Sequence, residues 1–255
     1  MGEAVLLVGV YTAYSFARNV LGSAHVSFTT AAGHAHDVLR VERLTGLDIE
    51  LGLQRLFLDH AHWFVRAAGV YYRTLHQWAV IVTLVWLLSR RTRAYPRLRT
   101  ALLCATVLAL VGFWLYPLAP PRLFPGLGFV DTVRLPVSRW SSPPDPSGWD
   151  FASMATNQFA AMPSLHLAWA VWVVVAAWSA GAGRVGRSLS VAHLVMTSVA
   201  VTVTANHWVL DGVAGAALTA VGLAIASWHH DASRTTHREP VARPRRRAKH
   251  RVTML

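Results

Sequence analysis

Six apolar runs punctuate the chain, at Ala4–Leu21, about Ala67–Leu88, Ala101–Leu118, Leu165–Ser179, Leu189–Thr204 and Trp208–Trp228. Roughly 17–25 predominantly apolar residues are needed for a helix to cross a bilayer. All six runs read as spans, the short fourth one with an added turn at either end. Only Met1, Gly2 and Glu3 precede the first run, and no small-residue cleavage site follows it, so a span is expected there rather than a secretory leader.

The stretches between the runs are of three kinds. Gly22–His62 is too polar to cross, but Leu53, Leu56, Phe57 and His60 recur at helical spacing and predict a helix lying in the interface. Ala119–Pro163 is rich in proline and carries Trp140 and Trp149, which predicts an ordered, surface-packed loop. The tail His229–Leu255 is basic and has no apolar periodicity, the pattern of a disordered segment. The expected architecture is all-α and polytopic: a six-transmembrane-helix bundle over residues 1–228 with an interfacial helix, then a basic cytoplasmic tail over 229–255.

Composition agrees with this picture. Hydrophobic residues make up 54% of the chain, charged residues 14%, and the mean hydropathy is +0.37, against about 25% charged residues in soluble domains. The single cysteine, Cys104, excludes an internal disulfide framework and a multi-cysteine metal site. The net charge of +12 has the look of a nucleic-acid footprint until its distribution is read. Fifteen of the 24 basic residues lie in the turn Arg90–Arg99, in Arg184 and Arg187, and in the tail; with Glu3 of the N-terminus counted on the same side, the rest of the chain balances nine bases against nine acids. With six spans those segments share one side, which the positive-inside rule makes cytoplasmic. The expectation is therefore a multi-pass cell-membrane protein with both termini in the cytoplasm and no nucleic-acid partner.

Ionisable groups inside apolar runs are costly, so they mark candidate chemistry. Three clusters fall at the outer ends of the spans. In Met162-Pro163-Ser164-Leu165-His166, Pro and Ser suit a helix start, whose unpaired N–H groups favour anions, and His166 projects from that first turn. A plain helix cap with a headgroup-level histidine explains the same residues. In Asn206-His207-Trp208-Val209-Leu210-Asp211, His207 and Asp211 stand at i,i+4 on one helical face. A carboxylate on one imidazole nitrogen raises the basicity of the other, which suits a nucleophile; a structural pair or a metal-ligand pair is the alternative. The third cluster is Pro120-Pro121-Arg122 with Arg73 and His76, the last two at i,i+3 and so expected to share a face. Arg suits bidentate phosphate recognition, although Arg73 could equally snorkel to headgroups. His193, with no acid near it, reads as structural.

Pro163-Ser164-x-His166 followed by His207-x-x-x-Asp211 resembles the type 2 phosphatidic acid phosphatase superfamily of six-helix membrane enzymes. Ala161–His166 and Tyr116–Arg122 look most like its inositolphosphotransferase branch, which contains the inositol phosphorylceramide synthases, and weaker similarity covers Glu42 to Gln54. The resemblance implies His207 as nucleophile, Asp211 as its orienting base and His166 as proton donor to the leaving alkoxide. It implies that Ser164 and the amides after it hold phosphate oxygens, with Arg122 the phosphate-binding arginine of the first motif. Two departures stand out: Ala200 and Val201 occupy the positions of a Ser-Arg pair in the general phosphatase pattern, and Leu115 that of a lysine. The transferase branch similarly lacks that Ser-Arg, and Arg73 and His76 are the expected replacement phosphate contacts.

The reading expected from the sequence is a membrane enzyme that cleaves a lipid phosphoester on the outer face through a phosphohistidine. Water or an alcohol such as inositol or a sugar then resolves the intermediate, and neither cofactor nor metal is called for. Hydrolysis alone is the nearest alternative. A non-catalytic lipid carrier or flippase would move lipid without releasing phosphate, and a metal-dependent hydrolase would use His166, His207 and Asp211 as ligands.

Overall fold

The computed structural model describes residues 26–132 and 158–236, together with residues 9, 12, 16 and 17. Most of the expected first span, the Trp140 and Trp149 region and residues 237–255 lie outside the described residues. Among the described residues the named elements are all helical. In chain order they are α1 (Phe28–Thr45), α2 (Glu50–His60), α3 (His62–Val70), a π-turn (Tyr71–Leu75), α4 (His76–Ser89), α5 (Tyr95–Leu115), α6 (Leu165–Ser179), α7 (Arg184–Val203) and α8 (Val209–Thr236). Two short 3-10 turns, Pro121–Leu123 and Pro125–Leu127, follow α5. The last helix runs past Trp228 to Thr236, so residues 229–236 continue α8.

Three helices, Tyr95–Leu115, Arg184–Val203 and Val209–Ala232, are long and apolar enough to cross a membrane, and Leu165–Ser179 is apolar but shorter. The run around Ala67–Leu88 is realised as α3, the π-turn and α4 in unbroken succession. The π-turn corrects one expectation: the His76 N–H reaches back five residues to the Tyr71 carbonyl. The wider turn changes the angular offset between residues three apart. Arg73 is exposed while His76 is buried, so the two do not share a face.

The polar stretch before it holds two helices, not one, and of the expected inward face only Leu53 and Phe57 pack, against Ala68, Ala200 and Val203. Leu56 and His60 are exposed, and α2 instead buries Glu50, Gln54 and Leu58 at i, i+4 and i+8. The physical reason is that α2 turns its polar edge inward to bond main-chain ends. Gln54 donates to the Val130 and Val203 carbonyls at 2.9 and 3.2 Å and accepts from the Val130 N–H at 3.0 Å. Helix α1 starts on a Ser27 cap that accepts from the Thr30 N–H at 3.1 Å. Its Ala31, Ala35, Val38 and Leu39 pack with Leu118, Ala119, Phe129 and Trp208.

Helix α8 lies along α5 and α6, and α6 lies along α7. Tryptophans and threonines tie these helices by hydrogen bonds suited to an apolar surrounding: Trp172 Nε1 to Leu98 O at 2.8 Å, Trp169 Nε1 to Thr106 Oγ1 at 3.1 Å and Thr219 Oγ1 to Ala168 O at 2.7 Å. Two glycines set the approach of α8. A Cβ at Gly222 would stand 2.6 Å from the Ala101 carbonyl oxygen, and one at Gly215 would collide with that of Ser164. The alternation of helix directions gathers the ends at Leu115, Leu165, Val203 and Val209 on one side of the bundle, and the arginine-rich turns 90–99 and 184–187 on the other.

A methyl group at Gly215 must therefore push α8 off α6 or displace Ser164. Gly215→Ala is expected to lower stability by about 1–3 kcal/mol in thermal unfolding of the detergent-solubilised protein. Gly52→Ala, on an exposed face of α2 with open space at its Cβ, is expected to be neutral or to stabilise by up to ~1 kcal/mol.

Candidate active site

The chain reaches His207 through a tight turn. Ala205, at φ 53°, takes a left-handed conformation that a side chain disfavours. Its carbonyl accepts the Arg122 N–H at 2.9 Å, which pins the segment after α5 onto the residue pair preceding the histidine. Asn206 then works in both directions: its Nδ2 donates to Thr204 Oγ1 at 2.7 Å and its Oδ1 accepts from Arg122 Nε at 2.9 Å. Nη1 of Arg122 lies 3.6 Å from Asp131 Oδ2, so the guanidinium is held from two sides in a largely buried position.

His207 is buried and its Nδ1 faces two oxygens, the Ala161 carbonyl at 2.9 Å and Asp211 Oδ2 at 3.3 Å. Two acceptors on one ring nitrogen fix the proton there and leave the lone pair on Nε2, which has no hydrogen-bond partner among the described residues. Asp211 is fully buried, and its Oδ2 also accepts the Trp208 N–H at 2.9 Å, so the same carboxylate caps α8 and orients the histidine. The Asp211 carbonyl accepts the Ser164 N–H at 2.8 Å, and Ser164 Oγ caps α6 by accepting from Leu167 N at 3.4 Å. The two helix starts are thus joined through their first turns.

His166, in the first turn of α6, stacks on Tyr72 with ring centroids 4.2 Å apart and lies 5.6 Å from the His207 ring. His76 packs behind it at 4.8 Å, followed by His193 at 5.4 Å from His76, so four imidazoles succeed one another from His207 into the bundle. His193 sits mid-way along α7, and Tyr71 Oη meets its Nδ1 at 2.5 Å.

The structure therefore brings together His207, Asp211, His166 and Ser164, places His76 against His166, and fastens Arg122 to the residue preceding His207. Arg73 lies on an exposed surface. Ala200 and Val201 are buried in α7, and Leu115 is exposed at the end of α5, so those positions present no hydroxyl or cation. Among the described residues no group of three His, Cys, Asp or Glu side chains is arranged to hold a metal ion.

Sequence reasoning missed five contributors. Ala161 acts through its carbonyl and leaves no side-chain signal, and Tyr72 and Gln54 carry no motif. Glu50 and Glu42 accept the Val209 and Leu210 N–H groups at 2.7 and 2.8 Å. Their signal was the i,i+4 polar stripe Glu50–Gln54, hidden by the assumption that apolar residues face inward. Burial pushes Glu42 up to about 8, opposed by the Leu210 N–H and reinforced by the charge of Glu50. Glu50 is likewise pushed up by burial, against the pull of the Val209 N–H.

A family model of the PAP2 superfamily matches residues 36–225, and the chain belongs to that superfamily. Membership supports an enzyme of the lipid-phosphatase type, and the three long apolar helices are those of a membrane protein. No curated protein and no solved structure matches the chain significantly.

Gln54→Ala removes three hydrogen bonds that hold the Val130 segment and the end of α7 beside the site. It is expected to lower stability by about 2–4 kcal/mol, read as a drop in unfolding temperature, whereas Arg55→Ala next to it on an exposed surface is expected to stay within about 0.5 kcal/mol.

Proposed function

We propose that the protein is a six-span membrane phosphotransferase of the inositolphosphotransferase type, which cleaves a lipid phosphoester through a phosphohistidine on His207 at the extracytoplasmic face of the cell membrane. The observation that carries the reading is the double acceptor on His207 Nδ1, which leaves a buried, unpartnered Nε2 with His166 across a 5.6 Å ring separation. In the first step Nε2 attacks phosphorus, the ester P–O bond breaks, and His166 gives its proton to the leaving alkoxide. The His207–Asp211 pair takes up the positive charge that develops on the imidazole. In the second step an acceptor hydroxyl attacks the phosphohistidine, His166 removes its proton, and the N–P bond breaks.

Arg122, Ser164 and the amides at the start of α6 supply the phosphate contacts in this reading, and Arg73 and His76 are assigned there as secondary contacts. The side-chain placement favours Arg122 as the principal cation. The acceptor is inositol or a sugar alcohol, as the motif resemblance indicates, and the sparse cations at positions 115 and 201 suit a phosphodiester better than a dianion. The arginine-rich turns opposite the site support an orientation with that end outward.

His207→Ala is expected to abolish loss of the labelled phosphoryl group from radiolabelled lipid phosphates, whether to water or to an alcohol, and to leave no acid-labile phosphoenzyme. His166→Ala is expected to lose about 10²–10⁴-fold in turnover. Vanadate should inhibit the wild type. Full activity of His207→Ala sinks the mechanism, and a mass-spectrometric product screen with and without inositol decides the acceptor: water-derived products throughout would make the enzyme a phosphatase.

A further inference from the structure

Three carboxyl groups meet the first turn of α8, and only Asp211 has a part in the proposed reaction. The N–H of Trp208 goes to Asp211 Oδ2, that of Val209 to Glu50 Oε1 and that of Leu210 to Glu42 Oε1. A helix start leaves its first N–H groups without internal partners, and a local cap residue ordinarily serves one of them. Here two are served by α1 and α2, from 168 and 159 positions away in the chain.

Glu42 and Glu50 are both fully buried, and among the described residues neither has a cation paired with it. The titratable groups facing Glu42 are Glu50 from α2 and Asp211 from α8, all of one sign when ionised. The positive end of a helix offers the equivalent of about half an elementary charge, too little to balance three buried anions. Glu42 Oε2 is also the one carboxyl oxygen of the Glu42–Glu50 pair that is buried without a hydrogen-bond partner.

We infer that Glu42 and Glu50 are positioning residues for His207, clamping the first turn of α8 to α1 and α2 with Glu42 uncharged. The inference rests on His207 as nucleophile. The clamp fixes Trp208–Leu210, hence the helical register that presents Asp211 to His207 Nδ1. Ionisation of Glu42 sets a second charge against Glu50 and Asp211, and the clamp loosens. The neutral acid, whose proton affinity is raised to about 8, is therefore a working part of the site at neutral pH.

Glu42 holds its proton more tightly in the folded chain than in the unfolded one. Its contribution is present in full below about pH 4.5 and is lost as pH rises through about 8.

The test uses the full-length protein in detergent micelles, with thermal unfolding and turnover of short-chain phosphatidic acid and of a short-chain phospholipid diester, inositol present, followed from about pH 5 to pH 10. Glu42→Gln keeps an oxygen for the Leu210 N–H and carries no charge. Its unfolding temperature should fall less than that of the wild type as pH rises to about 8, and its turnover should persist at alkaline pH where the wild type declines. Glu42→Ala should lose about tenfold or more in turnover at every pH, with most of it recovered in Glu42→Gln. If Glu42→Gln is as impaired as Glu42→Ala, or if its alkaline profile and unfolding temperatures follow the wild type, the inference is overturned. If the wild type moves the phosphoryl group of no lipid to water or to an added alcohol, the reading of His207 fails, while the unfolding series still decides whether Glu42 is the neutral member of the clamp.

Discussion

The first turn of α8 is the constraint on which the rest of the site depends. Its N–H groups end on Asp211, Glu50 and Glu42, and the Asp211 carbonyl in turn receives the N–H of Ser164. Through these bonds one helix start fixes the orientation of His207, the position of the second helix start at α6 and the docking of α1 and α2. Backbone groups at buried helix ends must find partners. In this bundle the partners come from distant segments, so satisfying the helix end and assembling the site are one event.

Buried polarity at this end also explains why the α1–α2 pair is packed onto the bundle. Helix α1 contributes an ordinary apolar face around Ala31, Ala35 and Val38, together with Glu42. Helix α2 adds polar contacts through Glu50 and Gln54 to an apolar side where Leu53 and Phe57 pack against Ala68, Ala200 and Val203 and Leu58 against Val65. An unpaired buried amide or carbonyl costs about as much as a buried methyl-rich side chain gains, so a helix that satisfies such groups at its neighbours' ends can be as firmly seated as an apolar one. The same economy appears at Arg122, whose guanidinium is divided between the Asn206 amide and the Asp131 carboxylate while its main chain holds Ala205.

Much of this was legible in the chain. The apolar runs located α6 to the residue and the cores of α5, α7 and α8, whose polar ends extend one to two turns beyond the runs, because an uninterrupted apolar run has few other stable forms. The i,i+4 spacing of His207 and Asp211 and the Pro-Ser start at 163–164 gave the buried histidine–carboxylate pair and the helix start, both of which are local. Where the reading failed, tertiary contacts overrode a local rule. The π-turn at Tyr71–Leu75 separated Arg73 from His76, and α2 turned its polar edge inward because the ends of other segments needed bonds. The helix that was expected to stop at Trp228 continued to Thr236.

By itself, then, the sequence determined the main apolar helices, the placing of arginines in the turns between them and the residue types that could carry phosphoryl chemistry, since each depends on spacing or composition along a single segment. Only the tertiary structure decided which nitrogen of His207 is available, through the Ala161 carbonyl 46 positions away, and that Glu42 and Glu50 complete the start of α8. Those are contacts between segments far apart in the chain. Their signal is an unpaired group on one side and a partner on the other, and neither half reads as meaningful until the fold sets them within hydrogen-bond reach.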